Sequence, residues 1–388
     1  MTSEERHVAR RQRRAEKREQ KRIAATAPFD DFTRMTDLNR LRRAARMSRA
    51  GVAGKASVQK YFMDELRNEN ATRRKLENGE DVREGFIEFD LYERGHARHI
   101  KAMHFRERVV QRCICDEILI PVLTRSLVYD NGASLKDKGI HFAMFRMREQ
   151  LHRYFRKHGT KGYILQTDFS KYFDNIRHEP LRELLEKNFT DKRVIALAWD
   201  FVTAFGDSSI GIGSQVSQIF AVTYASRADH YTKEIARLGL SGRYMDDSYA
   251  IAENREQLEA LLEGCRKIWS DLGIVISEKK THIIPLRRFT FLKVRYILTD
   301  SGKVIMKPGR KSFTRMRSKL RAFKKMYDRG EMSMEQIEAS YKSWYGYQQH
   351  FHAHRSLREM DKYYYSIFSV WITHRKRKRR KANDKHLH

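Results

Sequence analysis

Arg243-Tyr244-Met245-Asp246-Asp247-Ser248-Tyr249-Ala250-Ile251 sets two adjacent carboxylates between a Tyr-Met pair and an apolar run that reaches Ala252. Turn-compatible residues in its centre and strand-forming flanks predict a β-hairpin with the acids at its tip. Neighbouring carboxylates repel one another, and a divalent cation is a common way to offset that repulsion. Taken alone, an Asp-Asp pair is most often a solvated acidic turn. The rest of the chain decides between the two readings.

The 388 residues carry 33% charged side chains and a formal net charge of +30. Residues 1–22 hold nine Lys/Arg against four Glu, and residues 374–388 hold eight against one Asp, which leaves about +18 on the body of the chain. A polyanion, nucleic acid first, is the partner that makes such self-repulsion tolerable. Three cysteines, Cys113, Cys115 and Cys265, cannot build a disulfide framework, and Cys113-Ile114-Cys115 lacks the ligand spacing of a zinc site. They read as reduced thiols in or near a core. No apolar run has the length of a membrane span, and the basic N-terminus lacks the apolar centre of a signal peptide. A cytoplasmic protein without a membrane partner is the expectation.

Along the chain, residues 1–24 read as a basic helix that orders on docking, and 29–74 as helical. Residues 86–92 alternate like a strand. Residues 106–123 have the apolar spacing of a buried helix, 131–139 form a Gly- and Lys-containing loop, and 142–157 a further helix. Residues 163–167 read as a buried strand ending at Asp168. Helices follow at 180–188, at 194–205 and, after a glycine-rich stretch at 206–213, from Ser217 onward. An amphipathic helix at 255–272 is stopped by Gly273. Short strands are expected at 274–276, 282–285, 289–297 and 303–307, and the last ~75 residues are helical and basic. The order indicates an α+β core with a helical appendage.

Asp168 opens Asp168-Phe169-Ser170-Lys171-Tyr172-Phe173-Asp174-Asn175-Ile176, 78 residues before Asp246. A carboxylate at the end of a buried strand is the partner the hairpin needs. Three acids converging from adjacent strands can hold two Mg²⁺ ions about 4 Å apart, activating an attacking 3′-hydroxyl and stabilising a leaving pyrophosphate. Phosphoryl transfer is mostly positioning and charge neutralisation, so such a site also needs cations for the triphosphate.

The order strand–Asp, glycine-rich turn and helix, Asp-Asp hairpin, helix, strand–Lys resembles the palm of right-handed polymerases, and the Tyr-Met-Asp-Asp box resembles that of reverse transcriptases. Roughly residues 85–370 are similar to bacterial non-long-terminal-repeat reverse transcriptases, among them group II intron, diversity-generating, retron and unknown-group antiphage-defence enzymes. The resemblance implies an α+β right-hand fold: a basic helical extension at 1–84, fingers at 85–160, a palm of antiparallel sheet plus helices at 161–300, a helical thumb at 301–372 and a basic tail at 373–388. It implies Asp168, Asp246 and Asp247 as ligands of two Mg²⁺ ions (Mn²⁺ as the alternative), with the Phe169 carbonyl as an added ligand. Phe173 falls where the family keeps an aromatic gate against a 2′-hydroxyl.

Ser209-Ile210-Gly211-Ile212-Gly213-Ser214-Gln215-Val216-Ser217-Gln218 resembles the family's third motif, which places Ser217 and Gln218 at the dNTP. Gly211-Ile212 stands where the family has Pro-Gln. Lys280, in Ser277-Glu278-Lys279-Lys280-Thr281, matches the lysine proposed to protonate pyrophosphate. Arg98 matches a finger cation for the triphosphate. Leu135 occupies the position of a second, which leaves Lys136 or Lys138 as a point charge. Phe291-Leu292-Lys293 resembles the primer-grip turn with Lys293 replacing a glycine. Tyr244, Met245, Lys293, Arg315, Lys319 and Trp344 are the implied nucleic-acid contacts, although for Trp344 a core position is the favoured reading.

The implied activity is RNA-directed DNA synthesis from a 3′-hydroxyl, with an RNA template, a DNA product and dNTPs as partners. A protein partner or a homo-oligomer is compatible with the sequence. No maturase or endonuclease extension is visible, which argues against intron mobility. Antiphage defence with a dedicated noncoding RNA is the favoured role. A diversity-generating element, template-independent synthesis and an idle RNA-binding scaffold are the alternatives.

Overall fold

The computed structural model describes residues 3–93, 96–309 and 311–374. The expected basic tail from residue 375 onward, Arg310, and the side chains of 93–98 lie outside the described part. Residues up to Gln150 together with Tyr163–Ile284 form one compact unit; Leu151–Gly162 and the chain from Pro285 form a second.

The first unit opens with helices α1 (Ser3–Thr26), α2 (Thr33–Thr36), α3 (Leu38–Ser48), α4 (Ala56–Met63) and α5 (Glu65–Glu77). Asp37 caps α3 by accepting from the backbone N–H of Asn39 and Arg40. A two-stranded antiparallel hairpin follows, β1 (Phe86–Glu93) and β2 (His96–Met103). The helix expected at 106–123 is present with one interruption. α6 (Phe105–Ile114) passes through a π-turn (Cys115–Leu119) into α7 (Ile120–Leu123). Within that turn Glu117 is nearly buried and takes ion pairs from Arg34, Arg40 and Arg43, which ties the N-terminal helices to the core.

α8 (Ile140–His158) leads to β3 (Tyr163–Asp168), α9 (His178–Asn188), α10 (Lys192–Thr203), α11 (Gln215–Tyr224) and α12 (Ser226–His230). β4 (Ser241–Tyr244) and β5 (Asp247–Ala252) make the expected hairpin. α13 (Arg255–Asp271) and β6 (His282–Pro285) complete a four-stranded sheet of order β4-β5-β3-β6. Leu258, Leu261, Cys265 and Trp269 are the buried stripe of α13, and Gly273 ends the helix at φ +69°. All three cysteines are free and buried, and burial pushes the Cys113 and Cys265 thiols up to about 12. They are packing residues.

Two strand expectations change. Residues 274–276 make a single antiparallel bridge, Ile276 to Phe169, closed by Ser170 N–H to Val275 O (2.8 Å) and Ser277 N–H to Asp168 O (2.8 Å), and the segment, which leaves the left-handed Gly273, goes no further as a strand. Residues 289–297 are two strands rather than one. In the second unit β7 (Arg288–Phe291), β8 (Val294–Leu298) and β9 (Val304–Pro308) form an antiparallel sheet in that order. The turn between the first two falls at Leu292 and Lys293, both left-handed at φ +47° and +63°.

Phe289, Phe291, Val294, Tyr296, Leu298, Val304, Met306 and Pro308 are buried on one face of this sheet. His352 covers the edge of β9 by exchanging hydrogen bonds with the Met306 backbone. α14 (Lys311–Asp328), α15 (Met334–Gln348) and α16 (His354–Phe368) pack around Leu320, Ile337, Tyr341, Met360 and Tyr364.

Candidate catalytic centre

Strand register builds the centre. In the β4–β5 hairpin Tyr244 lies opposite Asp247, so Met245 and Asp246 form a two-residue turn. Met245 sits at φ +54°, where glycine is usual in such turns. On the other side of β5, Asp168 lies directly opposite Asp247. Facing residues of an antiparallel pair project to the same side of the sheet, so the two carboxylates share a face. The Phe169 N–H donates to the Asp246 carbonyl at 3.2 Å, which fastens the turn to the end of β3.

Like charges placed in register repel, and Lys280 answers them. Its Nζ donates to both carboxylate oxygens of Asp168, at 2.8 and 2.9 Å. The hydrogen bond to Asp168 holds the Lys280 ammonium above its ordinary pKa; burial opposes this, and the charges of Asp168, Asp247 and Asp246 add to it. Lys280 therefore keeps its proton at neutral pH.

The hairpin has an anchor that the sequence reading passed over. Arg243 is 3% exposed. It donates to both Asp229 oxygens at 2.7–3.0 Å, to the Val222 carbonyl at 2.7 Å and to the Met245 carbonyl of the turn at 3.1 Å. Burial works against its charge, yet the charge and hydrogen bonds of Asp229 outweigh that and raise its pKa. An arginine close to the turn, three residues before the first acid, was the available signal. At Gly242 a Cβ would lie 2.9 Å from the Tyr249 hydroxyl and 3.0 Å from the Asp130 carbonyl, so β4 has no room for a side chain there. Asp130 and Gly132 bond to the Arg243 backbone, which lays the 131–139 loop along the edge of β4.

The glycine-rich turn lies beside the Phe173 loop. Ile210 N–H donates to the Phe173 carbonyl at 3.2 Å, and Ser209 N–H to that of Ile176 at 3.3 Å. At Gly213, φ is +124° and a Cβ would come within 2.9 Å of the Lys101 carbonyl. Ser214 caps α11 by accepting from Ser217 N–H and donates to Gln111 Oε1 at 2.9 Å. Ser217 corrects an expectation. It is buried and its hydroxyl donates to the Ile210 carbonyl, so it locks the turn instead of reaching a nucleotide. Gln218, the next residue, is exposed, and Phe173 is half-buried with Tyr172 edge-on to it.

Asp168, Asp246 and Asp247 offer hard oxygen donors alone, the chemistry that suits Mg²⁺ or Mn²⁺ rather than a thiolate- or imidazole-seeking metal. Asp168 already holds one cationic group, the Lys280 ammonium. Among the described residues no three His, Cys, Asp or Glu side chains close around a common point. A cation entering here would compete with the Lys280 ammonium for the Asp168 oxygens.

Residues 92–296 match the family described as "Reverse transcriptase (RNA-dependent DNA polymerase)", more than half of the chain. The chain belongs to the reverse transcriptase family. It has the right-hand polymerase fold of that family. Among solved structures it is similar to telomerase from Candida albicans in complex with a fragment of telomeric RNA, at 13% identity and a TM-score of 0.45, covering 80% of this chain and 66% of that one. Apo telomerase from Candida tropicalis gives 14% identity and 0.43, covering 78% and 66%, and a C-terminally truncated form gives 12% and 0.44, covering 57% and 54%. The chain thus spans between about half and two thirds of those telomerase chains. No curated protein sequence matches it.

The remaining expected contacts of this reverse transcriptase, Tyr244 and Met245 excepted, lie apart from the acids in sequence. Arg98 is opposite Leu91 in the β1–β2 hairpin, and its side chain lies outside the described part. In the 131–139 loop, Lys138 donates to the Tyr129 and Asn131 carbonyls at 2.7 and 3.1 Å, which leaves Lys136 as the exposed cation. Arg315 and Lys319 are exposed on α14, with Lys319 donating to Ser340 Oγ at 3.0 Å. Tyr244 and Met245 are half-buried and Lys293 is exposed. Trp344 takes the core reading over the nucleic-acid one: its ring packs edge-on against Phe313 and its indole N–H donates to Ser312 Oγ at 3.2 Å, half-buried against the helical core of the second unit. Among the described residues no helix is long and apolar enough to cross a membrane.

Proposed function

We propose that this chain is an RNA-directed DNA polymerase that extends a 3′-hydroxyl with dNTPs on an RNA template. The observation carrying this reading is the register that sets Asp168 opposite Asp247, with the Asp246 turn fastened to the end of β3. Asp168, Asp246 and Asp247, with the Phe169 carbonyl, would hold two Mg²⁺ or Mn²⁺ ions. When bound, these supply charge stabilisation at the attacking and leaving oxygens.

The side chains supply the rest. Lys280 holds a proton at Nζ for the departing pyrophosphate. Phe173 presents a ring beside the sugar and disfavours a 2′-hydroxyl. Arg98 and Lys136 neutralise the triphosphate, and Gln218 lies at the exposed side of the glycine-rich turn. Lys293, Arg315 and Lys319 meet nucleic-acid backbone, and Tyr244 and Met245 support the 3′ end. In this reading 85–160 act as fingers, 161–300 as palm and 301–372 as thumb. We place the enzyme in a bacterial cytoplasm, in antiphage defence with a dedicated noncoding RNA. Leu135 and Lys293 at the family's arginine and glycine positions, together with the basic α1, favour that role over a diversity-generating element.

Primer extension on an RNA template tests the chemistry. Asp246→Asn should cut Mg²⁺-dependent DNA synthesis on the order of a thousandfold, the several kcal/mol expected when a metal ligand is neutralised. A variant that kept wild-type activity would remove the assignment. Sequencing the nucleic acid that co-purifies tests the role, since a variable-gene template repeat in place of one noncoding RNA would sink defence.

A further inference from the structure

A buried chain of hydrogen bonds runs through the first unit from α6 to the loop that carries Phe173. Glu107 and Gln111 lie one turn apart on α6, and Ser214 and Ser217 stand at the start of α11. All four are at most 2% exposed, so water does not compete for their bonds. Ser214 Oγ donates to Gln111 Oε1 at 2.9 Å, and Gln111 Nε2 donates to Glu107 Oε1 at 3.1 Å. The other Glu107 oxygen accepts from the Glu84 N–H at 3.2 Å. On the α11 side, Ser214 Oγ accepts from the Ser217 N–H and the Ser217 hydroxyl donates to the Ile210 carbonyl. The Ile210 N–H then donates to the Phe173 carbonyl at 3.2 Å.

Two features set this chain apart from ordinary packing. Glu107 is a buried carboxylate with no Lys, Arg or His at ion-pair distance among the described residues, and burial pushes its pKa above the ordinary value. Such a group costs stability, and apolar side chains of the same shape would often serve as well. What a fully satisfied polar network adds is a single fixed arrangement. The loop of Phe173 is also fastened to the glycine-rich turn and α11 at two further points. Ser209 N–H donates to the Ile176 carbonyl at 3.3 Å, and the Tyr172 hydroxyl to the Ala221 carbonyl at 2.6 Å. Whatever places the turn and α11 therefore places Phe173.

We propose that Glu107 and Gln111 are positioning residues for Phe173, acting through Ser214 and the glycine-rich turn, and that they set the preference for deoxynucleotides. Their role rests on the reading of Phe173 as the ring beside the sugar. A ring excludes a 2′-hydroxyl only if it cannot yield, because contact energies change over fractions of an ångström. A turn tied to α6 by a satisfied buried network holds its place, and one that has lost those bonds gives way.

The experiment is primer extension by the full-length protein on an RNA template, comparing kcat/KM for dCTP with that for CTP opposite a templating guanine. Gln111→Met keeps the length of the side chain and breaks both of its hydrogen bonds. The dCTP-to-CTP ratio should fall about three- to tenfold, the factor that one buried hydrogen bond typically carries. Partial unfolding lowers both rates together and cancels in the ratio. Gln111→Glu alone sets two carboxylates face to face and should lower the ratio as well. The swap Glu107→Gln/Gln111→Glu rebuilds every bond around one carboxylate and should restore it, which decides the matter even where Gln111→Met does not fold. An unchanged ratio in the single variants, or a swap no better than Gln111→Glu, overturns the proposal. Phe173→Val should lower the ratio further than any of these. If it does so while the Gln111 variants stay at wild type, the positioning role alone falls. If it leaves the ratio unchanged, the reading of Phe173 falls and the positioning role with it.

Discussion

Two tight hairpins of the chain solve one backbone problem and opposite electrostatic ones. Tyr244 to Asp247 and Phe291 to Val294 both turn through two residues, and both hold bulky side chains left-handed: Met245 in the first, Leu292 and Lys293 in the second. Each such residue stores on the order of 1–3 kcal/mol of strain. Around the first turn the charge is answered from within, Asp168 by Lys280 and Asp229 by Arg243. Around the second, Arg288, Arg295 and Lys307 have no carboxylate partner among the described residues. A self-neutralised site must give up a contact to take its ligand. A site left cationic has no such contact to break.

The largest effect expected from breaking the first arrangement is at its anchor. Arg243→Ala removes the partner of the nearly buried Asp229 and the support under Met245, and losing one half of a buried ion pair typically costs about 3–5 kcal/mol. Urea denaturation should show that loss, with DNA synthesis falling alongside. Wild-type stability in this variant would mean that the hairpin does not depend on its anchor.

Lys280→Ala comes next. Lys280 is largely exposed, so its pairing with Asp168 is screened and contributes no more than about 1 kcal/mol. Removing it should tighten Mn²⁺ binding to the nucleic-acid-free protein by up to about fivefold, read from the electron paramagnetic resonance of free Mn²⁺. DNA synthesis should fall in the same variant, so that binding and turnover move in opposite directions. Weaker Mn²⁺ binding would show that Lys280 supports the acids rather than competing for them.

What was legible in the sequence follows the same division. The acid hairpin, the Asp168 strand and the α13 stripe were readable because apolar runs, turn residues and 3.6-residue spacing are local signals. Arg243 was missed because its role depends on Asp229 of α12 and Val222 of α11, residues that only the fold brings to β4. Ser217 was placed at a ligand on the strength of motif position, and it instead spends its hydroxyl on Ile210; of the two readings offered for Trp344, the core one holds, with its indole N–H on Ser312. The cationic sheet face was invisible for a further reason. The apolar pattern reads residues 289–297 as one strand; the resemblance does mark a turn at Phe291-Leu292-Lys293, but only the fold supplies the register that sets Arg295 beside Thr290 and near Arg288.

The smallest effect compares the two turns directly, through Lys293→Gly and Met245→Gly. Glycine relieves a left-handed cost of about 1–2 kcal/mol but brings about 0.5–1 kcal/mol of added backbone freedom in the unfolded chain. At Lys293 the side chain is exposed and packs against no core, so the balance should favour glycine by about 0.5 kcal/mol. Met245 is half-buried against the core of the first unit, and losing that contact forfeits roughly 1 kcal/mol of apolar burial. The same substitution should therefore leave the acid hairpin unchanged or slightly less stable. Urea midpoints at fixed m-value measure both. If both variants were stabilised equally, Met245 packing would contribute nothing and strain alone would govern the acid turn. If Lys293→Gly instead destabilised the protein, the lysine would be holding the second turn through a contact of its own.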